Sequence, residues 1–286
     1  MRRLLILSGK GGTGKTTVAS TFIALSGVQA WADCDVDAPN LHLVSGSFTT
    51  SEQRDYHDLP KAVIDPLRCT ACNRCHEVCR FDAITVGATY TVDPIACEGC
   101  TFCLHVCPEG AITMEESKAG DLFLHTRGDQ TFSTATLLMG SGTTGKLVTA
   151  VKDQLKGSGA PLAILDGSPG IGCPVIASLT GATLALMVAE PSMSGLADLK
   201  RVIASARVLQ VPTAVVVNKA DVNREKCEAI EAYCLREEIP FLGTIPYDGS
   251  VVELLNRGEN LSRSESPAAV AIKTIWERTN ALLETL

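Results

Sequence analysis

The chain has 286 residues, enough for one large domain or for a domain carrying a smaller one at roughly 100 to 200 residues per domain. Hydrophobic residues are 45% and charged residues 20%, which excludes a disordered or collagen-like chain. Lys and Arg number 25 against 32 Asp and Glu, a formal net charge of -7, and this disfavours a general nucleic-acid-binding role, which needs a dense basic face.

In chain order, Met1-Arg2-Arg3 and the apolar Leu4–Leu7 imitate the start of a signal peptide, but four apolar residues are too few for its core. They read as a first strand, and a cytoplasmic location is expected. Gly9–Gly14 is Gly-rich, Lys15–Leu25 suits a helix, and Val28–Ala32 is a second strand leading into Asp33. This alternation predicts an α/β fold with a mostly parallel sheet flanked by helices. From Pro60 to Ser117 the composition turns Cys-rich with little helical periodicity. That segment reads as an insertion into a surface connection, dividing the chain into an α/β domain over 1–59 and 118–286 and an inserted domain over 60–117. The α/β pattern resumes at Pro161–Leu165, Leu184–Val188 and Ala214–Val217, continuous apolar runs of the kind buried parallel strands show. Pro267–Leu286 has the spacing of an amphipathic helix, with Val270, Ile272, Ile275 and Leu282 apolar. Lys273 and Arg278 do not make the cationic face of an interfacial membrane helix, so it should pack on the sheet. The longest weakly polar run, Val175–Ala189, falls short of the ~20 residues that span a bilayer, and no stable membrane anchor is expected.

Twelve cysteines are the unusual number in the composition, and eight lie between residues 69 and 107. Tight spacing in a reducing compartment points to metal ligands or catalytic groups rather than disulfides. Shifting the chain by 28 residues superimposes Asp65-Pro66 on Asp93-Pro94, the four cysteines Cys69, Cys72, Cys75 and Cys79 on Cys97, Cys100, Cys103 and Cys107, and Ala83-Ile84-Thr85 on Ala111-Ile112-Thr113. Two copies of one small unit packed together are implied. Each copy is a C-x2-C-x2-C-x3-C run, the bacterial ferredoxin pattern in which three thiolates grip one 4Fe-4S cluster and the fourth serves the other. The expected ligand sets are Cys69, Cys72 and Cys75 with Cys107, and Cys97, Cys100 and Cys103 with Cys79. Zinc sites usually show paired C-x2-C elements instead. Arg80 stands where a proline usually follows the fourth cysteine, which removes no ligand. Cys34, Cys227 and Cys234 read as small core residues.

Gly9-Lys10-Gly11-Gly12-Thr13-Gly14-Lys15-Thr16 fits G-x-x-x-x-G-K-[ST] directly after a strand and before a helix. Gly11, Gly12, Thr13 and Gly14 let backbone N–H groups curl around a β-phosphate, with Thr17 following at the nucleotide. Lys15 supplies charge to the β- and γ-phosphates, Thr16 a hydroxyl for Mg²⁺, and the helix N-terminus its positive dipole. A second match at Gly140–Lys146 has Leu147 in place of the hydroxyl and no clear strand before it. It is not expected to bind phosphate.

The early lysine of Lys10-Gly11-Gly12-Thr13-Gly14-Lys15-Thr16 makes this loop resemble the deviant Walker A of the MinD, Mrp and nitrogenase iron-protein families of P-loop ATPases. The resemblance implies Mg²⁺-dependent ATP hydrolysis by a nucleotide-sandwich dimer in which Lys10 reaches the partner's nucleotide. Asp33-Cys34-Asp35-Val36-Asp37, with Asn40-Leu41, resembles switch I and implies Asp35 as the water-activating carboxylate and Asp33 as the Mg²⁺ partner. Asp37 has no equivalent, and three such close carboxylates repel one another unless a cation sits among them. Asp166-Gly167-Ser168-Pro169-Gly170 resembles Walker B merged with switch II, implying that Asp166 holds Mg²⁺ through water and the Gly170 amide senses the γ-phosphate. Asn218-Lys219-Ala220-Asp221 occupies the place of a base-recognising Asn; the same N-K-x-D form is the guanine signature of GTPases, so Asp221 keeps GTP open beside ATP. Ile245-Pro246-Tyr247-Asp248 resembles the loop that packs on adenine, through Pro246. Cys173 lies where the nitrogenase iron protein carries a ligand to a cluster bridging its subunits, but no C-P-x-C pair of the Mrp type is present. The whole resembles a MinD/Mrp-type ATPase with a two-cluster ferredoxin domain inserted after switch I. Proteins of this look occur as paired paralogues beside small proteins of the iron-molybdenum cofactor-binding type. A homodimer, or a heterodimer with a paralogous ATPase, is therefore expected, with a redox or cluster-acceptor protein of that type as partner. Electron transfer, cluster carriage or assembly, and MinD-like positioning with redox-sensing clusters are the functions left open; two full ferredoxin runs favour the first.

Overall fold

Continuous apolar runs set the central strands of the computed structural model, which describes residues 1–286. In chain order the elements are β1 (Arg2–Leu7), α1 (Lys15–Ser26), β2 (Ala30–Asp33), β3 (Thr50–Ile64), α2 (Arg74–Val78), β4 (Ile84–Thr85), β5 (Thr91–Val92), α3 (Phe102–Val106), β6 (Ile112–Arg127) and β7 (Gln130–Leu137). There follow α4 (Thr144–Gln154), β8 (Leu162–Asp166), α5 (Cys173–Leu179), β9 (Leu184–Ala189), α6 (Met193–Val208), β10 (Thr213–Asn218), α7 (Arg224–Arg236), β11 (Phe241–Ile245), α8 (Ser250–Asn256) and α9 (Pro267–Thr285). They form two compact units, one of Met1–Gln53, Leu122–Ala135 and Gly145–Leu286, the other of Arg54–Asp121 and Thr136–Thr144.

In the first unit the sheet runs β11-β10-β9-β1-β8-β2-β7, with every adjacent pair parallel. Leu4, Leu5, Ile6 and Leu7 of β1 are completely buried, each such side chain contributing roughly 1.5–3 kcal/mol of transfer free energy. β1 lies between β8 and β9, both much later in the chain, so the connections diverge there and open a crevice at the carboxyl ends of the strands. The register fixes what lines it: Asp166 pairs with Ile6 on one side and with Asp33 on the other. Helix α1 buries Val18, Ala19 and Phe22, hides the hydroxyls of Ser20 and Thr21 by donating them to the Thr17 carbonyl, and stops at Gly27 with φ 61°. Helix α9 buries Ile272, Ile275 and Leu283 in the same core, and its neighbours are α1 and β11.

The second unit has its own core, built from Ala62, Ile64, Tyr90, Ile84, Ile112 and the thiols of Cys75, Cys97 and Cys103. β4 and β5 pair antiparallel, Ile84 opposite Val92. The 28-residue repeat is visible in the backbone. Cys69 N and Cys97 N each donate to the carbonyl four residues back, Asp65 and Asp93, at 3.0 Å. Positive φ recurs in register at Ala71 and Gly99, Asn73 and Thr101, and Asp82 and Gly110. The copies also exchange bonds: Asp65 N donates to Ala111 O at 2.8 Å and Asp93 N to Ala83 O at 2.7 Å. Each copy is thereby closed by the end of the other.

Three features depart from the sequence expectations. The compact unit that carries the Cys-rich segment is wider than 60–117, Arg54–Asp121 with Thr136–Thr144, and the segment is flanked by two long strands, β3 and β6. Residues Thr50–Asp55 of β3 are exposed at every position, so no apolar alternation marks the strand. A strand, β7, does precede the second Gly-rich stretch; its interior is partly hydroxyl-bearing, with Ser133 and Thr134 buried, which breaks the apolar run. Finally, α2 and α3 are five residues each, too short to show a helical period.

Candidate functional site: a phosphate-loop cleft and two cysteine-lined hollows

The loop from Gly9 to Gly14 leaves the fully buried end of β1 and delivers Lys15 as the first residue of α1. Gly14 caps that helix at φ 88°, and a Cβ there would fall on the Asn218 Nδ2. Only glycine meets both conditions. Gly11, Gly12, Thr13, Gly14, Lys15, Thr16 and Thr17 line one side of a cleft of about 760 Å³. Asp35, Asp37, Ser168 and Pro169 line the other.

Beneath the cleft lies a dry charge cluster. Lys15 Nζ donates to Asp166 Oδ1 at 2.6 Å, with side-chain exposures of 7% and 0%. Asp166 Oδ2 is buried without a hydrogen-bond partner. An orphan carboxylate oxygen is rare and costly, and with the Thr16 hydroxyl on the same cleft these residues fit a hydrated Mg²⁺ ion. Asp33 is also fully buried; its Oδ1 accepts from Asp35 N at 3.0 Å and its Oδ2 from Asn40 N and Leu41 N, both at 2.9 Å. It therefore folds the 34–41 loop. Burial, then the Asp166 charge, raises its carboxyl to about 7 despite those amides. Asp35 is half-buried, and burial raises its carboxyl to about 6 against the opposing pull of Lys15. Gly170, at φ 99°, donates its N–H to Ser8 O at 3.0 Å.

A second recess of about 190 Å³ adjoins the loop at Gly12, Gly14 and Thr17 and is lined beyond it by Asn218, Lys219 and Ile245–Asp248, Pro246 included. Asn218 donates from Nδ2 to Thr13 O at 2.7 Å and accepts from Lys219 N at 2.9 Å, tethering the strand end to the loop. Asp221 Oδ1 accepts from Tyr247 N at 2.6 Å, tying the two base-side segments together. The Gly140–Lys146 stretch is not part of either lining, and Leu147, where a P-loop needs its hydroxyl, is completely buried in the core.

In the other unit, one hollow is lined by Cys69, Cys72, Cys75 and Cys107, and a second by Cys79, Cys97, Cys100 and Cys103. The crossed backbone bonds of the repeat bring the last cysteine of each run to the first three of the other. Burial pushes the Cys75 thiol up, and the neighbouring Cys69 and Cys72 add to it; Cys103 is pushed up likewise, with Cys97 and Cys100 adding. Ala111 N donates to Cys107 Sγ at 3.3 Å. Four thiols around each hollow are a donor set that could hold an iron-sulfur cluster. No group of three or more His, Cys, Asp or Glu is gathered closely enough to hold a single metal ion. The remaining cysteines lie apart: Cys173 is exposed at the start of α5, Cys34 is buried with its thiol pushed up to about 12 by burial, and Cys227 and Cys234 are buried on α7.

The sequence reading missed Glu190. Its carboxylate binds Lys10 Nζ at 2.9 Å and Lys219 Nζ at 2.6 Å, and Lys219 also donates to Gly12 O at 3.0 Å. The available signal was positional: Glu190 directly ends the apolar run of β9, the strand beside β1.

A parallel sheet whose first strand feeds a phosphate loop, with aspartates at the ends of the two neighbouring strands on one side, defines a P-loop nucleotide-binding protein. The CobQ/CobB/MinD/ParA nucleotide binding domain matches residues 4–261, and the chain belongs to that family of P-loop ATPases. Two proteins of Methanocaldococcus jannaschii are similar over nearly their whole length. The uncharacterized protein MJ0578 is 31% identical, covering 96% of this chain and 95% of its own, and MJ0579 is 27% identical, covering 91% of each. Among solved structures, the cell division ATPase MinD of Pyrococcus furiosus superimposes with a TM-score of 0.60 at 20% identity, covering 98% of this chain and 99% of that one. MinD of Pyrococcus horikoshii complexed with Mg-ADP gives 0.60 at 20%, with 98% and 96% covered. At these identities the likeness is one of fold. No helix is long and apolar enough to cross a membrane.

Proposed function

We propose that this protein is a Mg²⁺-dependent ATPase whose nucleotide state gates electron transfer from two 4Fe-4S clusters to a partner protein. The observation that carries the reading is the presence, in one chain, of the phosphate-loop cleft and of two hollows each lined by four cysteines. The Mg-ADP complex of Pyrococcus horikoshii MinD supports an adenine nucleotide. Thr16, Asp166 and, through the loop it folds, Asp33 would hold Mg²⁺, whose charge offsets that of the phosphates. Cys69, Cys72, Cys75 and Cys107 would hold one cluster and Cys97, Cys100, Cys103 and Cys79 the other, supplying one-electron redox capacity.

The chain's own groups do the rest. The loop amides and Lys15 orient the triphosphate, Lys15 giving up part of its hold on Asp166 as the phosphates arrive. Asp35, with its carboxyl raised to about 6, is matched to orienting and deprotonating water near neutral pH. Gly170, whose N–H donates to Ser8 O, would turn that N–H to the γ-phosphate of a bound triphosphate, so the loop would report the presence of that phosphate. Lys10 completes the partner's site in a homodimer or in a heterodimer with a paralogous ATPase.

The test is anaerobic purification with iron and sulfide analysis, then an EPR redox titration with and without MgATP. About eight iron per chain is expected. A midpoint shift of at least about 59 mV, a tenfold coupling for a one-electron couple, is expected on adding MgATP. Zinc in place of iron would end the cluster assignment; iron with no shift would end the gating. The exposure of Cys72 and Cys100 favours a second reading, cluster delivery, for which rapid transfer to an apo-ferredoxin would be the sign.

A further inference from the structure

Glu190 leaves the sheet at the edge from which the phosphate loop departs, because β9 pairs with β1 in parallel register. Its backbone is fixed by a tight turn: Ser192 N donates to Glu190 O at 2.8 Å, and a Cβ at Gly195 would lie 2.3 Å from that same oxygen. The side chain is 17% exposed and divides its two oxygens between two cations, Oε2 at 2.9 Å from Lys10 Nζ and Oε1 at 2.6 Å from Lys219 Nζ. Burial alone would raise its carboxyl, but the two ammonium groups hold it below the usual carboxylate range. Lys10 makes a further contact on its own protomer, 3.4 Å from Ser192 Oγ. Lys10 is thus turned back onto the chain that carries it.

We propose that Glu190 is a positioning residue that clasps Lys10 in cis and releases it only to a triphosphate-loaded partner. The inference rests on the trans role of Lys10 proposed above. The clasp is shared, because Lys219 engages the second oxygen, so a more highly charged acceptor can win Lys10 away. Lys219 stays fixed to Gly12 O at 3.0 Å, which keeps the carboxylate in place to recapture Lys10 once the γ-phosphate is lost. A population held in the clasped state lowers the apparent affinity for the activating nucleotide by the fraction released. The clasp thus sets how much ATP is needed for two protomers to close.

The experiment compares wild type with E190Q by sedimentation velocity across an MgATP titration, alongside acetic anhydride labelling of the nucleotide-free proteins read by peptide mass spectrometry. E190Q should reach half-maximal self-association at about five- to tenfold lower MgATP, and Lys10 should label at least about twofold faster because its Nζ is no longer held against the carboxylate. Lys156, exposed and paired instead with Asp153, is the internal standard; a general loosening of the fold would move both lysines. If wild type associates with MgATP and E190Q does so at the same or higher nucleotide concentration, the clasp is wrong. If wild type does not associate at all, the sandwich-dimer reading fails first and the clasp with it.

Discussion

Replacing Lys15 by methionine tests whether the buried charge cluster is organised as argued. The ion pair with Asp166 is 2.6 Å long and shielded, at 7% and 0% exposure, so solvent screening does little to soften its loss. Methionine nearly preserves the apolar stem, but leaves the Asp166 carboxylate charged, buried and beside Asp33, with its other oxygen already unpartnered. Breaking a buried pair from one side costs roughly 3–5 kcal/mol, a large share of the 5–15 kcal/mol that holds a typical domain. The assay is urea denaturation in chelator without nucleotide, followed by fluorescence of Trp31, which is completely buried in the same unit. Adding Asp166→Asn should recover at least half of the loss, since the stranded charge is then removed, although nucleotide binding stays abolished. The sign with pH follows from the ammonium: burial alone would lower it, but Asp166 and the other carboxylates raise it above 10.5. Its own contribution is therefore complete below about 10.5 and fades only above the raised value. Lys15 also draws down the Asp33 carboxyl, which stands at about 7, so the deficit of the single variant should grow as pH rises from about 6 to 9. A loss under about 1 kcal/mol, or a double variant no more stable than the single one, would refute the reasoning.

Pairwise serine substitutions distinguish crossed from sequential cysteine sets. C69S/C107S should halve the iron from about eight to about four per chain, whereas C97S/C107S, touching both hollows, should abolish or destabilise both clusters; four well-held iron atoms in C97S/C107S would point to sequential pairing. Lys152 is buried and donates to three carbonyls at the end of α5, those of Ala177 at 2.6 Å, Ser178 at 3.1 Å and Thr180 at 2.6 Å. Lys152→Met should cost about 2–4 kcal/mol in the same urea assay by stranding them. Burial lowers the Lys152 ammonium from 10.5, so the wild-type contribution rises with pH through the window between the lowered value and 10.5; a wild-type minus Lys152→Met difference that falls there would contradict this account.

The legible parts of the sequence were those in which local pattern and tertiary role coincide. β1, β8, β9 and β10 are buried on both faces, so each is an uninterrupted apolar run. The phosphate loop needs glycines at positive φ, Gly12 and Gly14, and a lysine at a fixed offset, so it is readable as spacing. The cysteine runs are readable for the same reason, and their repeat is mirrored in positive-φ residues 28 positions apart. β3 was not legible because its first six residues face solvent on both sides and carry no period. Glu190 escaped because a lone acidic residue after a strand is common, and its meaning depends on two lysines 180 positions earlier and 29 later. Asp33 was legible as an acid at a strand end, but not as the acceptor of three amides, which is a property of the folded loop.

That last arrangement suggests how phosphate chemistry is connected to loop shape. Asp33 and Asp166 stand opposite one another on adjacent strands, and Lys15, bonded to Asp166, draws the Asp33 carboxyl down. Burial first, and then repulsion from Asp166, drives the Asp33 carboxyl up to about 7. On the function proposed above, a hydrated divalent ion held here would add positive charge and would favour the ionised form of Asp33, the form that accepts most strongly from Asp35 N, Asn40 N and Leu41 N. Tightening those three bonds would stiffen the 34–41 loop that carries Asp35, which lines the cleft, so on that proposal the charge that completes the binding site would also order the group assigned to orient water. Without that charge the three amide bonds would weaken, which would tie the shape of the loop to the charge balance at its base.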